Sequence, residues 1–168
     1  MGGNAGPVDA GGKTAVILGA GGAARAAVYG LLQRGFRIHL ANRTLARAGE
    51  LSACFGPAVT AHEWPELPDL LKQADLLVNT TALGMHGKPP LEIELAPLKR
   101  SAIVHDIVYV PLQTPLLASA RLRGHRTVDG LGMLLQQAVA GFMHWFGVTT
   151  KVSAELRAML EQDIAGKR

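Results

Sequence analysis

The chain has 168 residues, 48% of them hydrophobic and only 5% aromatic, which is enough for one well-packed domain with a mainly aliphatic core. A formal net charge of +4 favours an anionic ligand, but the lysines and arginines form no dense run, which argues against a nucleic-acid partner. The single cysteine, Cys54, excludes an internal disulfide, and no apolar run reaches the roughly 20 residues of a membrane span. A reducing, cytoplasmic location is therefore the expected default.

Short apolar runs alternate with helix-forming stretches, and residues 1–12, rich in glycine, alanine and proline, are expected to form a flexible lead-in to one domain over residues 13–168. In chain order we predict a strand over residues 14–18, a helix over 23–34, a strand over 37–41, a helix from the capping residue Thr44 to about 55, a weak strand over 59–61, a helix over 63–73, strands over 75–79 and 102–107, a helix over 115–123, a strand over 126–128, and helices over 131–145 and 152–164. Cys54 lies on the second helix, where we expect a small buried side chain.

Strands that alternate with helices in this way are typical of a parallel sheet covered on both faces by right-handed crossovers. The first strand, at residues 14–18, is apolar and partly β-branched, as a strand buried on both faces should be. The predicted fold class is therefore α/β, with a doubly wound parallel sheet.

A glycine-rich segment follows the first predicted strand and opens the first predicted helix. In the run Gly19-Ala20-Gly21-Gly22-Ala23-Ala24, the first glycine permits a tight turn and Gly21 lets the backbone approach a pyrophosphate. Ala24 stands where a small residue lets helix and strand pack closely. The N–H groups at the helix start would then receive the phosphates. This context predicts a Rossmann-type dinucleotide-binding domain.

The end of the second predicted strand indicates which dinucleotide is bound. Domains that prefer NAD place Asp or Glu there, to accept a hydrogen bond from the ribose 2′-hydroxyl. This chain has Asn42-Arg43-Thr44 instead, with Arg47 one helical turn later. Two guanidiniums and a hydroxyl at a helix N-terminus would hold a 2′-phosphate, and Arg43 could also stack on the adenine. The segment therefore favours NADP over NAD. The alternative interpretation is that both arginines are solvated surface charges.

Several segments together resemble the cofactor domain of the shikimate dehydrogenase family. The matching segments are Gly19–Arg25, Asn42–Thr44, Asn79–Met85, Asp106–Tyr109 with Thr114–Leu116, and Asp129–Gln137 followed by Phe142 and Trp145. The glycine loop is shared by many dehydrogenases, whereas the last two segments are much more specific. The resemblance covers about residues 12–147 and implies the NADPH-dependent reduction of 3-dehydroshikimate to shikimate, in aromatic amino-acid biosynthesis.

The resemblance also implies roles for individual residues. It assigns the pyrophosphate to Gly19, Ala20, Gly21, Gly22 and Ala23, and the adenosine 2′-phosphate side to Asn42, Arg43, Thr44 and Arg47. It places Thr81 and Ala82 by the nicotinamide-side ribose, Ile107, Gly130 and Met133 near the nicotinamide, and Tyr109 and Gln137 towards the substrate. Some of these residues also follow predicted strand ends, where open α/β sheets bind ligands, although each could be only a cap or turn residue.

The family carries its substrate pocket and a catalytic Lys–Asp pair in a separate N-terminal domain. The glycine loop begins at residue 19, which leaves no room for that domain, and the short lead-in fits a truncated form. The lysines considered for the catalytic role, Lys13, Lys72, Lys88 and Lys99, lack the family's surrounding motif, so no catalytic residue is assigned. Ketone reduction needs a proton donor within about 3 Å of the developing alkoxide. We therefore expect NADP binding but negligible turnover by this chain alone, with the small-molecule substrate bound only when a substrate domain is present.

Two alternatives stay open, namely a stand-alone NADP-binding or sensing module and the cofactor half of a quinate/shikimate dehydrogenase. Tyr109 and Gln137 favour an enzyme, because a sensor has no evident use for side chains directed at a substrate. The six histidines show no metal-ligand spacing, so we expect no metal site. Apolar surface on the last two helices is expected to seek a partner, which allows a homodimer.

Overall fold

A computed structural model of the chain describes residues 12–166, so that the predicted lead-in lies outside the described residues apart from Gly12. The strands are β1 Thr14–Leu18, β2 Arg37–Asn42, β3 Val59–Glu63, β4 Leu76–Asn79, β5 Ile103–Asp106 and β6 Arg126–Val128. The helices are α1 Gly22–Leu32, α2 Leu45–Ala53, α3 Leu67–Gln73, α4 Pro115–Leu122, α5 Gly130–Phe146 and α6 Ala154–Gly166. A short 3₁₀ turn, Trp64–Glu66, precedes α3.

The strands form one sheet in the order β3-β2-β1-β4-β5-β6. Strand β1 pairs in parallel with β2 and with β4, and β2 pairs in parallel with β3. The strand order reverses beside β1, because the chain first runs outward through β2 and β3 and then crosses to β4 on the other side of β1. The predicted fold class, a doubly wound parallel α/β sheet, is confirmed.

The chain divides into two compact units, which are described separately. Among the described residues, unit 1 consists of residues 12–81 together with Glu94–Ile103, and unit 2 consists of Ala82–Ile93 and residues 104–166. In unit 1 every residue of β1 is buried, as expected for a central parallel strand. The largest buried side chains of this unit are aliphatic: Ile17, Leu18, Ile38, Leu40, Leu71, Leu77 and Leu95.

Unit 2 has a small aliphatic core and a large exposed apolar surface. Its core includes Leu116, Leu117, Leu131 and Leu135. The exposed apolar residues at the end of α5 and on α6, here called the α5–α6 apolar surface, are Phe142, Met143, Trp145, Phe146 and Met159. Helix α6 has no buried residue. Among residues 12–166, no helix combines the length and apolar composition that crossing a bilayer requires.

The helix predicted over residues 63–73 starts later than expected. Glu63 ends β3, residues 64–66 form the 3₁₀ turn, and the α-helix begins only at Leu67. Pro65 and Pro68 lack the N–H groups that a continuous α-helix over these positions would use. The early part of this prediction is therefore wrong, and the later part is confirmed.

The prediction that Cys54 is buried is wrong as well. Its side chain is exposed, and its Sγ donates to the carbonyl oxygen of Glu50 at 3.3 Å. Helix α2 buries Ala48 and Leu51 and ends at Ala53, so position 54 lies beyond the buried stripe of the helix.

Strand β3 carries a chain of hydrogen-bonded side chains that involves two histidines. Nδ1 of His62 lies 2.9 Å from Oε2 of Glu66, and Nε2 of His62 lies 2.8 Å from Nδ1 of His39 in β2. A carboxylate only accepts hydrogen bonds, so His62 donates to Glu66 through Nδ1, and whenever the ring is neutral its Nε2 is an acceptor. Nδ1 of His39 is then the donor, and both tautomers follow from the position of Glu66.

This arrangement makes the stability of the fold depend on pH. Burial lowers the pKa of His39 below its ordinary value, and the neighbouring His62 and Arg37 lower it further. As the pH falls below about 6.5, the ordinary His pKa, the unfolded chain gains a proton that the folded chain resists. Stability is therefore greatest above that pH and decreases as the pH falls towards the lowered pKa.

We expect the thermal midpoint of the wild-type chain to decrease between pH 7 and pH 5, and the decrease to be smaller in His39→Gln. Glutamine keeps a hydrogen-bonding side chain but has no proton to gain. Thermal unfolding followed by circular dichroism at several pH values measures both slopes. His144→Gln, at an exposed position outside this hydrogen-bonded chain, controls for the loss of an imidazole as such. An unchanged slope in His39→Gln would contradict the assignment.

Candidate functional site: the glycine loop and three strand-end segments

The glycine loop begins where the strand order of the sheet reverses. Gly19 directly follows β1, and its N–H donates to the carbonyl oxygen of Ala41 in β2 at 2.9 Å. On the other side, Thr80 follows β4 and donates to the carbonyl oxygen of Leu18 through its N–H at 2.9 Å and its Oγ1 at 2.6 Å. The entry to the loop is thus fixed to both neighbouring strands. Open α/β sheets bind their ligands at such a switch point.

Gly19 has a backbone conformation and surroundings that favour glycine. Its φ is +103°, in the region that residues with a Cβ rarely adopt. A Cβ at this position would lie 3.0 Å from Oγ1 of Thr80 and 3.0 Å from Cγ2 of Thr81. The tight turn predicted for the first glycine of the loop is therefore present, and it is crowded by the residues that follow β4.

Helix α1 starts with exposed backbone and without a side-chain cap. Gly21 is the N-cap residue and has no side chain to accept from the first-turn N–H groups. Gly21, Gly22 and Ala23 are exposed, and the first turn contains no acidic residue. A helix start of this kind attracts an anion through its N–H groups and its dipole. Ala24 is fully buried, which confirms the close packing predicted for a small residue there.

The segment after β2 turns directly into α2. Nδ2 of Asn42 donates to the carbonyl oxygen of Thr44 at 2.9 Å, which closes the turn around Arg43. Arg43 and Arg47 are both exposed. Within residues 12–166, neither guanidinium forms an ion pair with an acidic side chain. The two cations and the start of α2 therefore create a region of positive potential.

Thr44 occupies the N-cap position of α2, as predicted. Its hydroxyl makes no capping hydrogen bond to the described helix, so that part of the prediction is wrong. The N-cap side chain normally accepts from the second or third N–H of a helix. Here the side chain is exposed instead, and the turn is closed by Asn42.

Asn79, fully buried at the end of β4, arranges the chain that follows it. Its Oδ1 accepts from the N–H of Thr81 at 3.0 Å and from Oγ1 of Thr81 at 2.7 Å. The Thr81 hydroxyl is thereby turned to Asn79, and its methyl group is the part that crowds Gly19. Ala82, the next predicted site residue, is exposed and begins unit 2.

In unit 2 a buried carboxylate shapes the segment that follows β5. Asp106 is fully buried, and its Oδ1 accepts from the N–H of Val108 at 3.1 Å. Its Oδ2 accepts from Oγ1 of Thr114 at 2.7 Å, and Thr114 in turn caps α4. These bonds hold the backbone at Val108 and connect the end of β5 to the start of α4. The Tyr109 side chain is exposed, as a residue that contacts a ligand must be.

The start of α5 is capped by Asp129. Its Oδ1 accepts from the N–H of Leu131 at 3.1 Å and of Gly132 at 3.4 Å. A carboxylate at this position also interacts favourably with the positive end of the helix dipole. The residues predicted to contact nicotinamide and substrate, Met133 and Gln137, follow on α5 with a spacing of four, which places them on one face of the helix.

Gly130 brings α5 into direct contact with the segment after β5. A Cβ on Gly130 would overlap the carbonyl group of Ile107 and would lie 2.8 Å from the carbonyl oxygen of Val108. The two backbones can approach this closely only because residue 130 has no side chain. The structure thus brings together Ile107 and Gly130, which the resemblance assigned to the same part of the cofactor.

The lysines considered for catalysis include two that form surface contacts in unit 1. Nζ of Lys72 lies 2.6 Å from the carboxylate of Asp69. Nζ of Lys99 donates to the carboxylate of Asp75 at 3.0 Å and to the carbonyl oxygen of Gln73 at 2.9 Å. Both therefore have structural partners. Between residues 12 and 166, no cluster of three or more His, Cys, Asp or Glu side chains could hold a metal ion.

Some residues that shape the site belong to the segments matched from the sequence, but no structural role was predicted for them. Asp129 and Thr114 had readable signals, since each precedes a helical run and Thr114 is followed by a proline, the usual pattern of a helix start. Thr80 and Asp106 had weaker signals. Thr80 contacts the carbonyl of Leu18, which is 62 residues away, and Asp106 becomes informative only when β5 and α4 are in place.

Together, the sheet order, the glycine turn at its reversal point and the exposed start of α1 define a Rossmann-type α/β protein. Residues 5–106 match the family described as shikimate / quinate 5-dehydrogenase, and the chain belongs to this family. The resemblance inferred from the sequence is thereby confirmed. The shikimate dehydrogenase (NADP(+)) of Azorhizobium caulinodans is 57% identical over 160 residues, which cover 95% of this chain and 57% of that relative.

Solved structures show the same fold. The quinate dehydrogenase of Corynebacterium glutamicum in complex with NAD superposes with a TM-score of 0.82 and 30% identity, over 92% of this chain and 56% of that one. The shikimate 5-dehydrogenase of Thermus thermophilus in complex with NADP(H) and shikimate gives a TM-score of 0.73 and 29% identity, over 90% and 54%. The chain spans just over half the length of the relatives it matches.

Proposed function

We propose that this chain binds NADP and is the cofactor-binding part of an NADP-dependent shikimate dehydrogenase. The observation that carries the proposal is the crowded turn at Gly19, which has a φ of +103° and would place an added Cβ 3.0 Å from side-chain atoms of Thr80 and Thr81. It delivers the chain into the exposed, uncapped start of α1, where the backbone of Ala20, Gly21, Gly22 and Ala23 would receive the pyrophosphate.

The adenosine end of the cofactor would be bound by the segment after β2. Arg43 and Arg47 are exposed cations without acidic partners in the described chain, and a 2′-phosphate would supply the missing negative charge. Asn42 holds the turn, and the Thr44 hydroxyl is available to a ligand because it does not cap α2. No carboxylate follows β2 to favour a ribose hydroxyl over a phosphate, which supports NADP rather than NAD.

The residues that would bind the nicotinamide end of the cofactor are those that the family resemblance assigns to it. Thr81 and Ala82 would lie by its ribose, and Ile107, Gly130 and Met133 by its ring. When bound, NADPH supplies the hydride that reduces the ketone of 3-dehydroshikimate. Tyr109 and Gln137, both exposed, would contact the substrate. No residue of the chain is assigned as the proton donor, so we propose cofactor binding without turnover until a substrate domain is supplied.

The binding proposal is tested by calorimetric titration of the chain with NADPH and, separately, with NADH at low salt. We expect clear binding of NADPH and weaker binding of NADH. Gly19→Ala should weaken the binding of both nucleotides, because its Cβ forces the turn away from Thr80 and Thr81. Gly49→Ala is the matched control, since a Cβ at that helical position meets nothing within 4 Å. Absence of binding by the wild-type chain would refute the proposal.

Activity measurements distinguish the proposed function from two alternatives, a quinate dehydrogenase and a sensing module. The chain would be mixed with the part of a curated relative that it does not span, and the reduction of NADP⁺ would be followed with shikimate and with quinate. Turnover with shikimate supports the proposed enzyme, whereas turnover with quinate alone supports the quinate alternative suggested by one structural neighbour. NADPH binding that never leads to turnover supports a sensing module.

We also predict that the chain self-associates through the α5–α6 apolar surface, since Trp145 is 76% exposed and Phe146 is 63% exposed. Sedimentation velocity at increasing concentration would show a dimer, and Trp145→Glu would shift the equilibrium towards the monomer. A strictly monomeric wild-type chain at high concentration would contradict this prediction. A cytoplasmic location likewise remains a prediction.

A further inference from the structure

The C-terminal helix α6 contacts the start of α5, within unit 2, through an arginine. None of its residues is buried, so apolar packing contributes little to its position. Nη2 of Arg157 lies 2.7 Å from Oδ2 of Asp129, and Nε of the same guanidinium lies 2.7 Å from Oε1 of Glu161. The Arg157 side chain is 34% exposed and that of Asp129 is 21% exposed, so both partners of this ion pair are partly shielded from water.

The Asp129 carboxylate therefore accepts hydrogen bonds from two elements, the start of α5 and the side chain of Arg157. Oδ1 accepts from the N–H groups that begin α5, while Oδ2 accepts from Arg157. A carboxylate that is held at one oxygen has less rotational freedom at the other. The guanidinium of Arg157 thus limits the positions from which Asp129 can cap the helix.

The first turn of α5, which Asp129 caps, is in direct contact with the segment after β5. Gly130 lies against the backbone of Ile107, and the next residue of this segment, Val108, donates its N–H to Asp106. The contacts form a continuous series in unit 2, from Arg157 through Asp129 and Gly130 to Ile107. Close-packed contacts of this kind transmit small displacements, because they leave no slack for side-chain rearrangement.

We infer that Arg157 is a positioning residue, which orders the start of α5 and, through Gly130, the Ile107 backbone. The inference rests on the proposed function for its consequence, because Ile107 and Gly130 are assigned to the nicotinamide end of NADP. Arg157 touches neither cofactor nor substrate in this role. Its loss should weaken the contacts made by the nicotinamide end and leave the adenosine end unaffected.

The test compares two ligands and two variants. NADPH contains both ends of the cofactor, whereas adenosine 2′,5′-bisphosphate contains only the adenosine end. In Arg157→Gln we expect the affinity for NADPH to fall on the order of fivefold, while the affinity for the bisphosphate stays at the wild-type value. Arg157→Lys should lose less, because it keeps the charge. Glu161→Gln is the matched control, since it removes the other partner of Arg157 and keeps the pair with Asp129.

Amide hydrogen exchange measured by NMR without ligand provides a second readout. Exchange at Leu131 and Gly132 should accelerate severalfold in Arg157→Gln and not in Glu161→Gln, because only the first variant frees the capping carboxylate. Equal weakening of both ligands, or unchanged exchange at these two amides, would overturn the inference. If the wild-type chain binds neither ligand, the proposed function fails, while the exchange result still decides whether Arg157 orders the start of α5.

Discussion

The variant Gly130→Ala should unfold roughly 5–10 °C below the wild-type chain, although replacing a helical glycine by alanine usually stabilises a protein. The added Cβ would overlap the carbonyl group of Ile107, and neither can rotate away, because the carbonyl belongs to the backbone and the position of a Cβ is fixed by its own backbone. Overpacking of this kind costs about 2–3 kcal/mol, which exceeds the gain in helix propensity of up to ~1 kcal/mol. Thermal unfolding followed by circular dichroism measures the difference.

Gly132 provides a matched control in the same turn of α5. A Cβ at Gly132 would meet its nearest described atom, Nη1 of Arg157, at 3.8 Å, which is an ordinary van der Waals contact. Gly132→Ala should therefore leave the thermal midpoint unchanged or raise it slightly. Equal midpoints for the two variants would show that the contact between Gly130 and Ile107 does not limit the packing of α5.

The variant Arg43→Ala should lose roughly ten- to a hundredfold in affinity for NADPH and little in affinity for NADH. The hydrogen bond between a guanidinium and a phosphate is charge-assisted, and its removal costs about 1.5–3 kcal/mol. NADH carries a hydroxyl in place of the 2′-phosphate and cannot form this interaction. Calorimetric titrations at low salt, where charge interactions are least screened, give both affinities.

Arg37→Ala is the matched control for this experiment. Arg37 is also exposed but begins β2, whereas Arg43 follows the end of the same strand, about 20 Å away by strand geometry. Loss of Arg37 removes the same charge from the chain and should not alter NADPH affinity more than about twofold. A loss of NADH binding in Arg43→Ala as large as the loss of NADPH binding would show that Arg43 supports the site in another way, for example by stacking on the adenine.

Much of the fold could be predicted from local patterns in the sequence. Strand β1 is a continuous apolar run, and a strand paired on both sides and covered on both faces has that composition. The glycine loop was recognised because its meaning depends on its immediate neighbours, a strand before it and a helix after it. The arginines of residues 42–47 were recognised for the same reason, since their position follows from the end of β2.

The features that could not be predicted depend on residues far apart in the chain. The resemblance placed Gly130 and Ile107 near the same ring, but no local pattern indicates that their backbones touch. Nothing near Arg157 indicates a pair with Asp129, 28 residues earlier. The exposure of Cys54 depended on where α2 ends, and helix ends are set by small differences in local free energy. The assignments of Tyr109 and Gln137 to the substrate remain predictions.

The glycine loop is a continuous segment of the sequence, but its folded conformation depends on a residue far along the chain. Its residues are adjacent in the chain and are synthesised together. The turn at Gly19, however, is crowded by Thr80, which lies 62 residues after Leu18 and donates a hydrogen bond to the carbonyl oxygen of Leu18. Closing so long a loop costs entropy that only the completed β1–β4 ladder can offset. A nascent chain that has reached α2 therefore already contains the whole motif, but it acquires the crowded turn only after β4 has emerged and paired.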